Sequence, residues 1–218
     1  MRNKGSLLKE LPVLVVVALV VSLLIKTFLV QFFYIPSGSM ENTLQVKDRV
    51  AVNKIPFLSK TINRGDVVVF RDPDNWLPQI TDYGTNKYVA KAKGALVAVG
   101  VLPNPAKQYL VKRVVGVAGD HIVCCTKSGN LTINDVEVTE PYIFDGNKPS
   151  DMTFDVTVPK GKLWVMGDHR AASADSRYHQ EDINKGFVRL SRVTGRVVAV
   201  IWPFKNITYV PKVDVLKK

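Results

Sequence analysis

The stretch Tyr109-Leu110-Val111-Lys112-Arg113-Val114-Val115-Gly116-Val117, followed by Gly119-Asp120-His121-Ile122-Val123, decides the fold class. Apart from two adjacent cations and one glycine it is apolar, aromatic or β-branched, which suits a pleated strand. The Gly-Asp step marks a turn before a second strand. Working outward, Val67–Phe70, Leu131–Val138, Leu163–Met166 and Val193–Trp202 repeat the pattern: short apolar runs bounded by Gly, Asp or Pro. The expectation is a mainly β, antiparallel domain over residues 34–218, with a small β-rich insert at 121–160. Gly65-Asp66, Gly119-Asp120 and Gly167-Asp168 stand at the mouths of three such runs. There Gly is expected to supply unusual backbone angles and Asp to cap the turn. Ser128-Gly129-Asn130 reads as a hairpin tip and Asn134-Asp135 as another turn.

N-terminal to this domain, Leu11–Val30 reads LPVLVVVALVVSLLIKTFLV, with Lys26 as its one charge. At about 1.5 Å per residue it matches a hydrocarbon core of roughly 30 Å. The expectation is a cytoplasmic N-terminus over 1–10, a single transmembrane helix as an anchor over 11–33, and an extracytoplasmic remainder. Arg2, Lys4 and Lys9 against Glu10 give the orientation. The alternative is a cleaved secretory leader, since Ser37 and Ser39 put small residues near a cleavage position. The length of the apolar run and the bulk of Phe32, Phe33 and Tyr34 favour a retained anchor.

In a chain of 218 residues, 46% hydrophobic and 22% charged residues exclude a disordered or collagen-like protein. The net charge of +11 calls for an anionic neighbour. Beside an anchor, membrane lipid explains it better than nucleic acid, which is not expected as a partner. Cys124 and Cys125 are adjacent and the three histidines are scattered, so no metal and no cofactor are expected. Residues 72–107 are irregular: prolines 73, 78, 103 and 105 surround the apolar run Gly94–Leu102, which fits core and membrane contact equally well.

Three segments could do chemistry. In Ile35-Pro36-Ser37-Gly38-Ser39-Met40, a serine would need a neighbouring base to become a nucleophile. Lys112 alternates onto the face of Leu110 and Val114, where desolvation would favour its neutral amine. In Gly167–Arg177, Asp175 and Arg177 could pair on one face of an extended segment, and Ser173 could hydrogen-bond an amine. Each has a plainer reading: a juxtamembrane turn, an edge-strand lysine, and a polar loop with an exposed ion pair of little energetic value.

In combination these segments resemble the bacterial type I signal peptidases, serine proteases of the Ser/Lys kind. The blocks occur in order: Pro36-Ser37-Gly38-Ser39-Met40 with Thr43-Leu44, then Gly65-Asp66-Val67-Val68-Val69-Phe70. Lys112-Arg113-Val114-Val115-Gly116 with Gly119-Asp120 follows, then Gly167-Asp168-His169-Arg170 through Ser173-x-Asp175-Ser176-Arg177. The resemblance implies Ser39 as acylating nucleophile, Lys112 as general base, and Ser37 hydroxyl with Ser39 N–H as the oxyanion hole. It further implies Ser173 orienting the amine, Asp175 and Arg177 as supports, and Pro36, Met40 and Leu110 as substrate contacts. The implied substrates are exported preproteins, bound as an extended strand and cut after small residues. Two positions depart from the family pattern: Asn42 stands where Pro is usual, and His169 where Asn is usual. Two rival readings are a Ser39 protease using His169 or His179 with Asp175, and a non-catalytic membrane-anchored β domain.

Overall fold

The nine-residue run Tyr109–Val117 is a strand flanked on both sides, which is why it is apolar almost throughout. In a computed structural model of the chain, residues 10–21, 29–55, 62–78 and 108–213 are described. The strands are β1 (Val30–Tyr34), β2 (Arg49–Asn53), β3 (Val67–Arg71), β4 (Tyr109–Val117), β5 (His121–Cys124) and β6 (Leu131–Ile133). They continue as β7 (Val136–Glu137), β8 (Phe154–Thr157), β9 (Lys162–Met166), β10 (Val188–Arg189), β11 (Val193–Trp202) and β12 (Thr208–Tyr209). The larger sheet runs β1-β2-β11-β3-β4-β9-β10, with β12 on β11; the smaller runs β7-β6-β5-β8. Every pairing is antiparallel, so the chain is mainly β as its short bounded runs require.

β3 shows how the large sheet is held. Val68 and Phe70 enter one apolar cluster with Leu110, Val114, Val165 and Val193. Val67 and Val69 enter another with Met40, Leu44, Val50, Val52 and Val197. A strand buried on both faces has no reason to alternate with polar residues, hence Val-Val-Val-Phe. β4 is registered on it so that Lys112 faces Val68 and Arg113 faces Val67.

The small sheet packs on the large one through Trp164, whose ring centroid lies 5.3 Å from those of both Phe154 and Phe187. Ile122, Leu131, Ile133 and Phe154 share that cluster with Val115 and Met166. Gly116 lets the layers approach: a Cβ there would run into Ile122 and lie 3.1 Å from Val158 Cγ2. Asn134 and Asp135 both have positive φ, 52° and 64°, and join Ile133 to its partner Val136 as a two-residue turn. Cys124 ends β5, and it forms a disulfide with Cys125 beyond the strand.

At the N-terminus residues 10–21 are helical and exposed. Among the described residues no helix is long and apolar enough to cross a membrane. Val30–Tyr34, the end of the expected 11–33 anchor, is not helical: it pairs with β2 from Val30↔Asn53 to Tyr34↔Arg49. The free edge of β2 supplies backbone partners that outweigh the continuous hydrophobicity. Lys26 and the run Gly94–Leu102 lie outside the described residues.

Candidate active site

Ser39 opens a tight turn that follows β1. Met40 and Leu44, flanking the turn, are sunk in the core, and the Met40 carbonyl accepts the N–H groups of Thr43 and Leu44. The turn is thus pinned by burial, and Ser39 itself is only 8% exposed. From β4, the Lys112 Nζ reaches to 2.6 Å from Ser39 Oγ across 73 residues of sequence. Lys112 is 4% exposed, with Leu110 and Val114 beside it on its strand face. Burial lowers its pKa from 10.5 to about 8, against the attraction of Asp175 and Asp168. Arg177 pushes the same way as burial. The strand neighbour Arg113 is not the opposing cation, because adjacent strand residues face opposite ways and Arg113 is neutralised by Asp168.

That second pair is fully buried. Arg113 Nε and Nη2 donate to Asp168 Oδ1 and Oδ2 at 2.8 and 2.6 Å, a bidentate fork. Thr43 Oγ1 donates to the same carboxylate and accepts from Arg113 Nη2 at 2.9 Å, so the pair is bonded to the Ser39 turn. Arg113 also donates to the Gly65 carbonyl and lies 4.0 Å over the Tyr142 ring. Sequence reasoning missed this pair, having read Asp168 as a turn cap. The available signal was an arginine inside an apolar run, which burial forbids without a carboxylate.

Asp175 is the other hub. It accepts from Ser173 Oγ at 2.7 Å, from Gly167 N–H at 2.9 Å and from Arg177 Nε at 2.8 Å. Asp175 and Arg177 pair as expected, but not along one extended segment: the backbone of Asp175 is extended, whereas Arg177 lies in the 3-10 turn Ser176–His179 that Asp175 caps. Gly167, unlike Gly65 and Gly119 with φ of 80° and 92°, has no positive φ. Its need is space: a Cβ would collide with Ser173 Oγ and the Ser39 carbonyl.

The remaining candidates are more scattered. Pro36 and Ser37 are exposed, whereas Met40 and Leu110 are buried in separate core clusters. His169 Nδ1 lies 3.0 Å from Glu41 Oε2, and His179 Nδ1 2.9 Å from Asp182 Oδ2. His179 is stacked on Trp76 at 4.3 Å. Asp175, committed to Ser173, Gly167 and Arg177, bonds neither imidazole. Among the described residues no group of His, Cys, Asp and Glu could hold a metal ion.

A serine hydroxyl beside a buried amine can attack a carbonyl and hand its proton to nitrogen. Comparison with known proteins gives the family. The model of the family described as "Signal peptidase, peptidase S26" matches residues 8–202. A probable signal peptidase I of Mycobacterium leprae is 37% identical, covering 92% of this chain and 78% of that protein. The signal peptidase I of Mycobacterium tuberculosis strain H37Rv is 35% identical over 92% of this chain and 74% of its own length. That of Bacillus licheniformis is 30% identical, over 94% of each. With the match running through the Ser39 turn, β4 and the Gly167–Arg177 segment, the chain belongs to the signal peptidase family, peptidase S26, and is a serine endopeptidase of signal peptide processing.

Proposed function

We propose that the chain cleaves exported preproteins by forming an acyl-enzyme on Ser39, with Lys112 as the general base. The observation that carries this is the buried 2.6 Å contact between Lys112 Nζ and Ser39 Oγ, with the lysine pKa brought down to about 8. At that pKa on the order of a tenth of the amine is neutral near pH 7, far more than for an ordinary lysine. It takes the Ser39 proton as Oγ attacks the scissile carbonyl, then passes it to the leaving amine. A water activated by the same nitrogen then hydrolyses the ester. Ser39 N–H and the exposed Ser37 hydroxyl hold the oxyanion. Ser173, its own proton given to Asp175, can only accept from the lysine amine, and Asp175 and Arg177 hold it in place. The preprotein lies as an extended strand near Pro36 and is cut after small residues.

The protein works at the membrane, as a single-pass cell-membrane enzyme with its N-terminus cytoplasmic and residues 34–218 outside. Support comes from the apolar run Leu11–Val30, with Lys26 as its one charge, and from residues 10–21, helical with exposed Leu and Val side chains. A surface shared by enzyme and substrate raises their effective concentration. The test is incubation of the protein in detergent or vesicles with one exported precursor, followed by sequencing of the new N-terminus. Expected is a single cut after a small residue, absent with Ser39→Ala. Cleavage by a folded Ser39→Ala protein would overturn the proposal.

A further inference from the structure

The two departures from the family pattern, Asn42 and His169, fall in one structural unit. Asn42 has φ of 87°, the left-handed region, which Asn tolerates better than most residues and which proline cannot enter. Its side-chain amide donates to the carbonyls of both Tyr142 and Ile143 at 3.2 Å. One residue earlier, the Glu41 carboxylate meets His169 Nδ1 at 3.0 Å, and the imidazole lies stacked on Phe144, 4.1 Å between centroids and 13° between planes. Successive residues of the nucleophile turn are therefore tied to residues 142–144, Asn42 directly and Glu41 through His169.

The ties close around Ser39. The His169 N–H donates to the Ser39 carbonyl at 3.2 Å, so residue 169 holds Ser39 by its backbone and Glu41 by its ring. The Glu41 N–H donates to the Gly38 carbonyl, and the Glu41 carboxylate lies over Gly38, 2.8 Å from where a Cβ would stand. The far side is fixed as well: Phe144 N–H donates to the Asp168 carbonyl at 3.0 Å, the residue paired with Arg113. An imidazole that is both a hydrogen-bonding partner of Glu41 and a flat surface for Phe144 fills this place in a way a short amide would not.

We infer that Glu41, Asn42 and His169 are positioning residues for the nucleophile: a clamp that fixes the Ser39 turn against residues 142–144 and sets where Oγ stands relative to Lys112. This rests on the reading of Ser39 as nucleophile. The clamp acts on where Ser39 Oγ stands, so it governs the chemical step rather than affinity.

The test is steady-state cleavage of a precursor peptide, kcat and KM separately, with thermal unfolding of each variant. Asn42→Gly keeps the positive φ and removes only the amide. His169→Phe keeps a ring on Phe144 and removes the contact to Glu41; Glu41→Ala removes the other half. Expected is a fall in kcat of about tenfold for each, with KM within about twofold and unfolding temperatures near that of the parent. The double variant Glu41→Ala with His169→Phe should lose no more than either single one, because both break one contact. Unchanged kcat in the three variants, additive losses in the double, or losses confined to KM would overturn the inference. Should Asn42→Gly be unstable, the Glu41–His169 cycle decides alone. Ser39→Ala in the same assay separates the levels: if it is active, the nucleophile reading fails and the clamp with it. If it is inactive while the clamp variants are normal, only the clamp fails.

Discussion

The two sheets of the molecule treat polar groups in opposite ways. Around the junction of β3, β4 and β9 with the Ser39 turn, ionisable groups are buried: Lys112, Arg113, Asp168, Asp175 and Arg177 are each at most 4% exposed. In the small sheet the core is apolar, built from Ile122, Leu131, Ile133 and Phe154. Polar contacts between its strands lie at the surface, as in His121 with Asp155 and in Glu137 with Ser128 and Asn130, and the buried Glu140 just past β7 is paired with Arg170. Burying a charge is unfavourable by several kcal/mol unless a partner and hydrogen bonds offset it. The large sheet meets that cost with paired forks at Arg113 and Arg177, while the Lys112 amine has no such fork and burial lowers its pKa. The small sheet contributes packing. Chemistry is confined to the region where charges are buried, and loss of a contact should have different consequences on the two sides.

The sharpest way to break this contrast is Lys112→Arg, which keeps the charge but offers no neutral form at working pH. Turnover should fall by 10³-fold or more, comparable with loss of a member of a serine-protease triad, while circular dichroism stays that of the parent. Near-parental cleavage would erase the distinction between the two regions.

Next in size is Gly167→Ala. The added methyl displaces the Ser39 carbonyl or the Ser173 hydroxyl, and misplacement of about 1 Å costs on the order of 10²-fold. The expected result is a fall in kcat of that size, measured on folded protein. An unaffected kcat would mean that the close approach at Gly167 does not set the geometry.

The smallest effect belongs to the other region. Ile133→Val, in the small-sheet core, should destabilise by about 0.5–1.5 kcal/mol and leave kcat per folded molecule unchanged. A tenfold loss of kcat with little loss of stability would show that the small sheet takes part in the chemistry.

The same contrast explains what could be read from the sequence. Strands β3, β4 and β9 were legible because burial on both faces makes apolar runs, and β11 because alternate residues along it are buried. Lys112 stood out because Leu110 and Val114 share its strand face, but alternation also fitted an edge-strand lysine; its burial beside Ser39 comes from packing across 73 residues of sequence. The Gly-Asp pairs show the limit. Gly65 and Gly119 serve as turn glycines with positive φ, and the Asp66 and Asp120 carboxylates accept from the N–H groups of Asn63 and Val117. Gly167-Asp168 looks the same locally, yet its glycine makes room for Ser39 and its aspartate neutralises an arginine 55 residues away. Those roles depend on long-range packing, which a local motif does not encode. Met40 and Leu110, which the resemblance implies as substrate contacts, lie buried in separate core clusters, a placement that alternation alone does not give. Residues 30–33, placed at the end of the expected anchor, fall in β1 for a related reason, since hydrophobicity does not distinguish a helix in lipid from an edge strand.

The central claim, a buried neutral lysine acting on Ser39, is tested most directly by the pH dependence of kcat/KM for precursor cleavage by the parent protein and by His169→Phe. Below the Lys112 pKa the ammonium cannot accept the serine proton, so the account predicts activity that rises with pH and levels off above an inflection near pH 8. The position of that inflection should be unchanged when His169 is replaced. An inflection near pH 6.5, the ordinary range of histidine, that disappears with His169→Phe would contradict it.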